Sequence, residues 1–221
     1  MESIEQARET IFKELVSDDS EIRDAYLELF EDDAKALSGS MAQAFIKWRS
    51  FDNEVNSDER KAHVSALVYS AITLHILSLK LFLSGHTVAA GNLFRQVVES
   101  IALSLLCSGK DLDVLGRFME DKYSSTVAVR DVLRHADKLS LKGDALEVLK
   151  SSQEFYHKYS HITKMTIGIG ISFSEKGALY VGASFDKGKT DIYTKEVKGR
   201  VSLAEVFPNF VEGVTTNVAE W

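Results

Sequence analysis

The 221-residue chain predicts a mainly α-helical bundle. It carries a small antiparallel β hairpin or three-stranded sheet near residues 168–197 and closes with a C-terminal helix. Three observations carry this expectation. Apolar residues recur at spacings of three and four along most of the chain up to about residue 162, which puts them on single helical faces. The one proline, Pro208, suits long helices, because proline in a helix interior costs roughly 3 kcal/mol. Two long segments, 57–84 and 87–108, are apolar around most of a helical circumference and belong at the centre of a bundle. No repeat, linker or low-complexity stretch interrupts them, so residues 1–221 read as a single helical domain.

The elements follow in order. Ile4, Ala7, Ile11 and Leu15 define one face of a first helix. The run Asp18, Asp19, Ser20 offers caps for a second, with a break expected near Ser38–Gly39. Ser57, followed by Asp58 and Glu59, opens the first core helix, and Gly85 ends it with a residue that tolerates positive φ. Thr87 to Ser108 forms the second core helix, closed by Gly109. Shorter helices are expected at 113–119, 124–139 and 144–162. The pattern then changes: "IGIGISFS", "GALYVGASF" and "DIYTKEV" are β-prone runs divided by turn-like "EKG" and "DKGKT". A capping box from Ser202 to Glu205 opens the last helix, with a kink expected at Pro208.

An apolar fraction of 45% and a charged fraction of 27% are ordinary for a globular chain. A single cysteine, Cys107, excludes an internal disulfide and any zinc site built on several thiolates. The most apolar stretch, 66–85, contains His75 and Lys80, so it reads as a core helix with no membrane role. A reducing cytoplasm is the expected location. A net charge of −7 opposes broad electrostatic attachment to nucleic acid, though it leaves room for a local basic patch. No cofactor or metal is expected, since Glu154, His157 and His161 share one face but lack the second Glu-x-x-His that a di-iron bundle needs.

Two constellations carry candidate chemistry. In "VRDVLRHADK", Asp131 and His135 are one helical turn apart, and Arg130 sits about 140° and ~7.5 Å from His135. A histidine that moves a proton, an arginine that steadies charge on phosphorus and an orienting carboxylate suffice to cut RNA without metal. This Arg-Asp-x-x-x-His pattern resembles the signature of the HEPN superfamily. The resemblance implies a dimerising helical bundle, with Arg130, Asp131 and His135 as catalytic residues of a ribonuclease, often a toxin or defence effector. The β-prone segment and the mid-chain position of the signature depart from that family.

The second constellation is the helix "GNLFRQVVESIALSLL", in which Arg95 and Glu99 interrupt an apolar surface one turn apart. A charged pair inside a bundle must be mutually satisfied. With the later "YHKYSHI", this helix resembles a loose group of helical microbial proteins without a settled activity. That resemblance covers Gly91, Arg95, Glu99, Tyr156, Ser160 and His161, and it implies a polar floor to a ligand pocket. The leading expectation is therefore a HEPN-like, metal-independent ribonuclease or a catalytically inactive relative. The alternative is a non-enzymatic binding or regulatory module for a small anionic ligand or a protein partner. Expected partners are a second copy of the chain, RNA or a small anion, and, for a toxin, a protein antitoxin.

Overall fold

The computed structural model describes residues 3–141 and 143–221, apart from the side chain of Ser160. Among them lie nine α-helices: α1 (Ile4–Val16), α2 (Ser20–Asn53), α3 (Glu59–Leu83), α4 (Thr87–Ser108), α5 (Val114–Met119), α6 (Ala128–Arg134), α7 (Gly143–Tyr156), α8 (Lys164–Ile169) and α9 (Thr190–Ala219).

The expected central pair is present. Asp58 caps α3 by accepting the Lys61 N–H, a position one residue beyond the expected Ser57. Gly85, at φ +83°, reverses the chain, so α3 and α4 form an antiparallel hairpin. α2 runs antiparallel to α3, with Tyr26 against Phe82 at one end and Trp48 against Tyr69 at the other. α9 runs parallel to α2: Tyr26 meets Tyr193, and Lys47 pairs with Glu212 at 2.9 Å. On its far side α4 is covered by α5, α6 and α7.

α4 is sealed almost along its length, with Phe94, Val97, Val98 and the whole stretch from Ile101 to Ser108 buried. α3 is different. Its inner face is buried, but Tyr69, Ile76 and Leu77 remain 44%, 50% and 42% exposed, so one flank of this core helix is bare. Among the described residues it is also the one helix long and apolar enough to cross a membrane.

The predicted hairpin or three-stranded sheet at 168–197 is overturned. Among the described residues no strand forms there, only an isolated antiparallel bridge between Ile171 and Leu179. "IGIG" falls on the short helix α8 and its cap, while "DIYTKEV" is the first two turns of α9. β-branched residues favour strands only weakly, and packing outweighs that preference when a 3.6-residue stripe is present. Here Tyr193, Val197, Val201 and Ala204 form such a stripe and are buried against α2, α4 and α7.

The C-terminal helix accordingly starts at Thr190, well before the expected Ser202, and runs on through Pro208. α2 likewise continues through Ser38–Gly39; its irregular residue is Phe30, at φ −128° and ψ 17°.

The "DKGKT" segment is a buried clasp at the head of α9. Asp186 accepts the Phe173 N–H at 2.6 Å, the Gly188 N–H at 2.9 Å and the Ser174 hydroxyl. Burial alone would raise its carboxyl, but these donors and nearby Lys189 outweigh it and hold the group at about 2. Lys189, itself buried, donates to the Ile169 carbonyl at 2.7 Å. The irregular segment 170–189 is thus tied at both ends.

Candidate functional site

Arg95 and Glu99 lie one turn apart on α4, where the apolar surface of that helix gives way. Arg95 Nε and Nη2 both stand 2.8 Å from Glu99 Oε1. Glu99 Oε2 accepts the Ser125 hydroxyl at 3.2 Å. The side chains are 27% and 15% exposed, enough for solvent to reach a pair that is otherwise enclosed. They open into a cleft of about 150 Å³, completed by Val98, Thr126, Gln153 and His157. Thr126 comes from the 3₁₀ turn before α6, Gln153 from α7 and His157 from the 3₁₀ turn after it.

The other residues expected with this pair are close by, in different roles. Gly91, one turn before Arg95, carries the ring of Tyr159 directly on its backbone; any Cβ there would collide with that ring. Tyr156 and Tyr159 point away from the cleft into the core. Tyr159 donates to a Glu196 carboxylate oxygen, and Tyr156 to the Glu196 carbonyl at 3.3 Å. His161 is exposed, its ring 5.6 Å from that of His157, so it stands at the rim. The Ser160 side chain lies outside the described residues. Glu154 is exposed beside Lys150, and among the described residues no group of three His, Cys, Asp or Glu side chains is placed to hold a metal.

Beneath the cleft is a sealed polar cluster that the sequence reading missed. Glu196 and Arg200, one turn apart on α9, are both fully buried and paired at 2.7 Å. Arg200 Nη1 also donates to Tyr156 Oη at 3.1 Å and to the Glu196 carbonyl at 3.0 Å. Among the described residues its Nε and Nη2 find no hydrogen-bond partner; the guanidinium lies instead over the rings of Phe82, Phe94 and Tyr156, 4.9, 5.2 and 5.3 Å from their centroids. Such faces attract a desolvated cation.

His75 Nε2–H donates to the Arg200 carbonyl at 3.1 Å. Burial, reinforced by the Arg200 charge, pushes His75 down to about 3, so it is neutral at physiological pH. Burial and the Glu196 carboxylate push the Tyr159 hydroxyl well above its usual range. The side chains of this cluster are at most 2% exposed, so it belongs to the core.

Arg130 and Asp131 lie on α6. Asp131 accepts the Tyr123 hydroxyl at 3.0 Å and faces Arg130 at 3.4 Å and Arg134 at 3.6 Å. α6 ends at Arg134, and His135 is its C-cap. None of the described contacts joins the His135 imidazole to the Asp131 carboxylate, and Arg130 is 62% exposed. Arg130 and Asp131 are thus paired, and His135 closes the helix that carries them.

The signal for Gln153, Thr126 and Ser125 was absent from local sequence, because these residues meet Arg95 only through tertiary packing. Glu196 and Arg200 fall at the spacing of four that follows the buried stripe of α9, a signal that emerges only once that segment is helical. No family model, curated protein or solved structure matches the chain.

Proposed function

We propose that the chain is a non-catalytic binding module that takes a small, singly charged anion, such as a carboxylate, in the cleft beside Arg95. The observation that carries this is the half-buried Arg95–Glu99 pair opening onto neutral polar side chains. Glu99 orients the guanidinium and cancels much of its charge, which disfavours a phosphate dianion. Gln153 and Thr126 add donors without adding charge. A volume of about 150 Å³ equals roughly five waters at liquid density, so the ligand is small. A ribonuclease working through Arg130, Asp131 and His135 finds less support, because Asp131 is engaged by Tyr123 and the two arginines.

The test is isothermal titration of the full chain with acetate, short dicarboxylates and hydroxycarboxylates, with inorganic phosphate as the contrast. A carboxylate is expected to bind wild type and to lose about tenfold in affinity in Gln153→Leu or Thr126→Val, variants that leave the ion pair intact. Binding of phosphate alone, or of nothing in the series, refutes the proposal.

A further inference from the structure

The chain carries two apolar surfaces that none of the described residues covers. The first is α1. Only Ala7 and Glu14, two turns apart, face the body; the Glu14 carboxylate accepts the Ala183 N–H at 2.8 Å. The rest of the helix stands clear, with Ile4, Ile11, Phe12, Leu15 and Val16 between 52% and 91% exposed and no α1 residue buried. The second is a groove of about 470 Å³ between α2 and α3. Its floor is Leu37, Met41 and Leu79, its rims are Phe45 and Ile76, and Ala34, Ser38 and Ala42 keep the α2 side low enough to admit a helix. Of the exposed apolar residues of α3, Ile76 is the one that borders it.

We infer that the groove of one protomer receives α1 of a second copy, so that two chains exchange arms in a two-fold dimer. Two features favour this occupant. The lengths match: thirteen residues of α1 span about 20 Å, and the groove follows α2 from Ala34 to Phe45, about 17 Å. The area suffices. Five large side chains at roughly 60–120 Å² each give 300–600 Å² per arm. Counting both arms and both grooves, the dimer buries roughly 1,200–2,400 Å², the range of a specific interface. The Glu14 clamp holds each arm off its own groove, which favours exchange over folding back.

Sedimentation of the full chain across the micromolar range tests this. Wild type is expected to dimerise. Ile11→Glu and Leu15→Glu on the arm, and Ser38→Trp in the groove, should each weaken the dimer about tenfold or more. The monomeric arm variants should melt where wild type does once it is diluted below its dimerisation range, because α1 is not part of the core. Ile11→Cys and Ser38→Cys chains, differently tagged and mixed, should form a disulfide between chains; Cys107 is buried and does not compete. Four results would overturn the inference. These are a wild type that stays monomeric, a dimer indifferent to both arm and groove, a disulfide that closes within one chain when it carries both cysteines, and flotation of wild type with anionic vesicles in place of self-association.

Discussion

Replacing Glu196 by glutamine removes one charge from the sealed core while keeping the side chain's size and its ability to accept the Tyr159 hydroxyl. Glu196 and Arg200 have no exposed surface, and among the described residues Glu196, at 2.7 Å, is the one ionic partner of Arg200. Breaking a buried pair on one side typically costs about 3–5 kcal/mol, because the survivor stays charged in a poor solvent. For a chain of this size that corresponds to a fall of roughly 6–20 °C in melting temperature.

Arg200→Met leaves a carboxylate, which has an escape that arginine lacks: it takes up a proton. The two single variants should therefore part company as pH falls from 7 to 5, with Arg200→Met recovering and Glu196→Gln not. The double variant Glu196→Gln/Arg200→Met loses both charges and keeps an acceptor for Tyr159, so it should lie within about 1–2 kcal/mol of wild type. Urea unfolding followed by far-ultraviolet circular dichroism on the four proteins gives the cycle. A coupling energy near zero, or a Glu196→Gln cost below about 1 kcal/mol, would refute the claim that the core depends on charge balance.

Three further outcomes are expected. Because His75 sits at about 3 in the folded chain against an ordinary 6.5, the unfolded chain binds the extra proton, and its neutral burial contributes stability that is full above 6.5 and lost as pH falls toward about 3. Chemical denaturation of His75→Phe between pH 7 and 4.5 should show a shallower slope than wild type; equal slopes would contradict the assignment. Gly91→Ala pushes a methyl into the Tyr159 ring, and should lower stability by about 1–3 kcal/mol in urea titrations, whereas a neutral effect would mean that Tyr159 can move aside. Incubated with mixed RNA in EDTA, wild type and His135→Ala should both leave it intact. Cleavage by wild type that vanishes in His135→Ala would restore the ribonuclease interpretation.

The central hairpin was legible because its signals are local: caps at the heads of helices, Gly85 at the reversal, and apolar residues at every rotation of two long helices. The 168–197 segment misled for an equally physical reason. Isoleucine, valine and tyrosine suit a strand in isolation, and the buried stripe that makes "DIYTKEV" helical is interrupted by Glu196 and continued by Arg200, which look like solvent-facing positions. Their burial becomes sensible only when Tyr156, Tyr159, Phe82 and Phe94 arrive from other elements. The bare flank of α3 was hidden by the same ambiguity, since a helix that is apolar all round does not reveal which side its own chain will cover.

The two Arg–Glu pairs share a spacing of four and differ in fate, and a single segment accounts for the difference. On the last turn of α7 and the 3₁₀ turn beyond it, Gln153 and His157 share one face while Tyr156 and Tyr159 share another. The first face closes the cleft over Arg95 and Glu99; the second seals Glu196 and Arg200. A ligand that drew Gln153 or His157 inward would have to rotate the segment that carries the two tyrosine hydroxyls. The Tyr159–Gly91 contact resists that rotation, since the ring has no free space on the α4 side. The cleft is thus built on a floor that cannot yield without opening the core, which favours recognition by a rigid, pre-formed site over closure around the ligand.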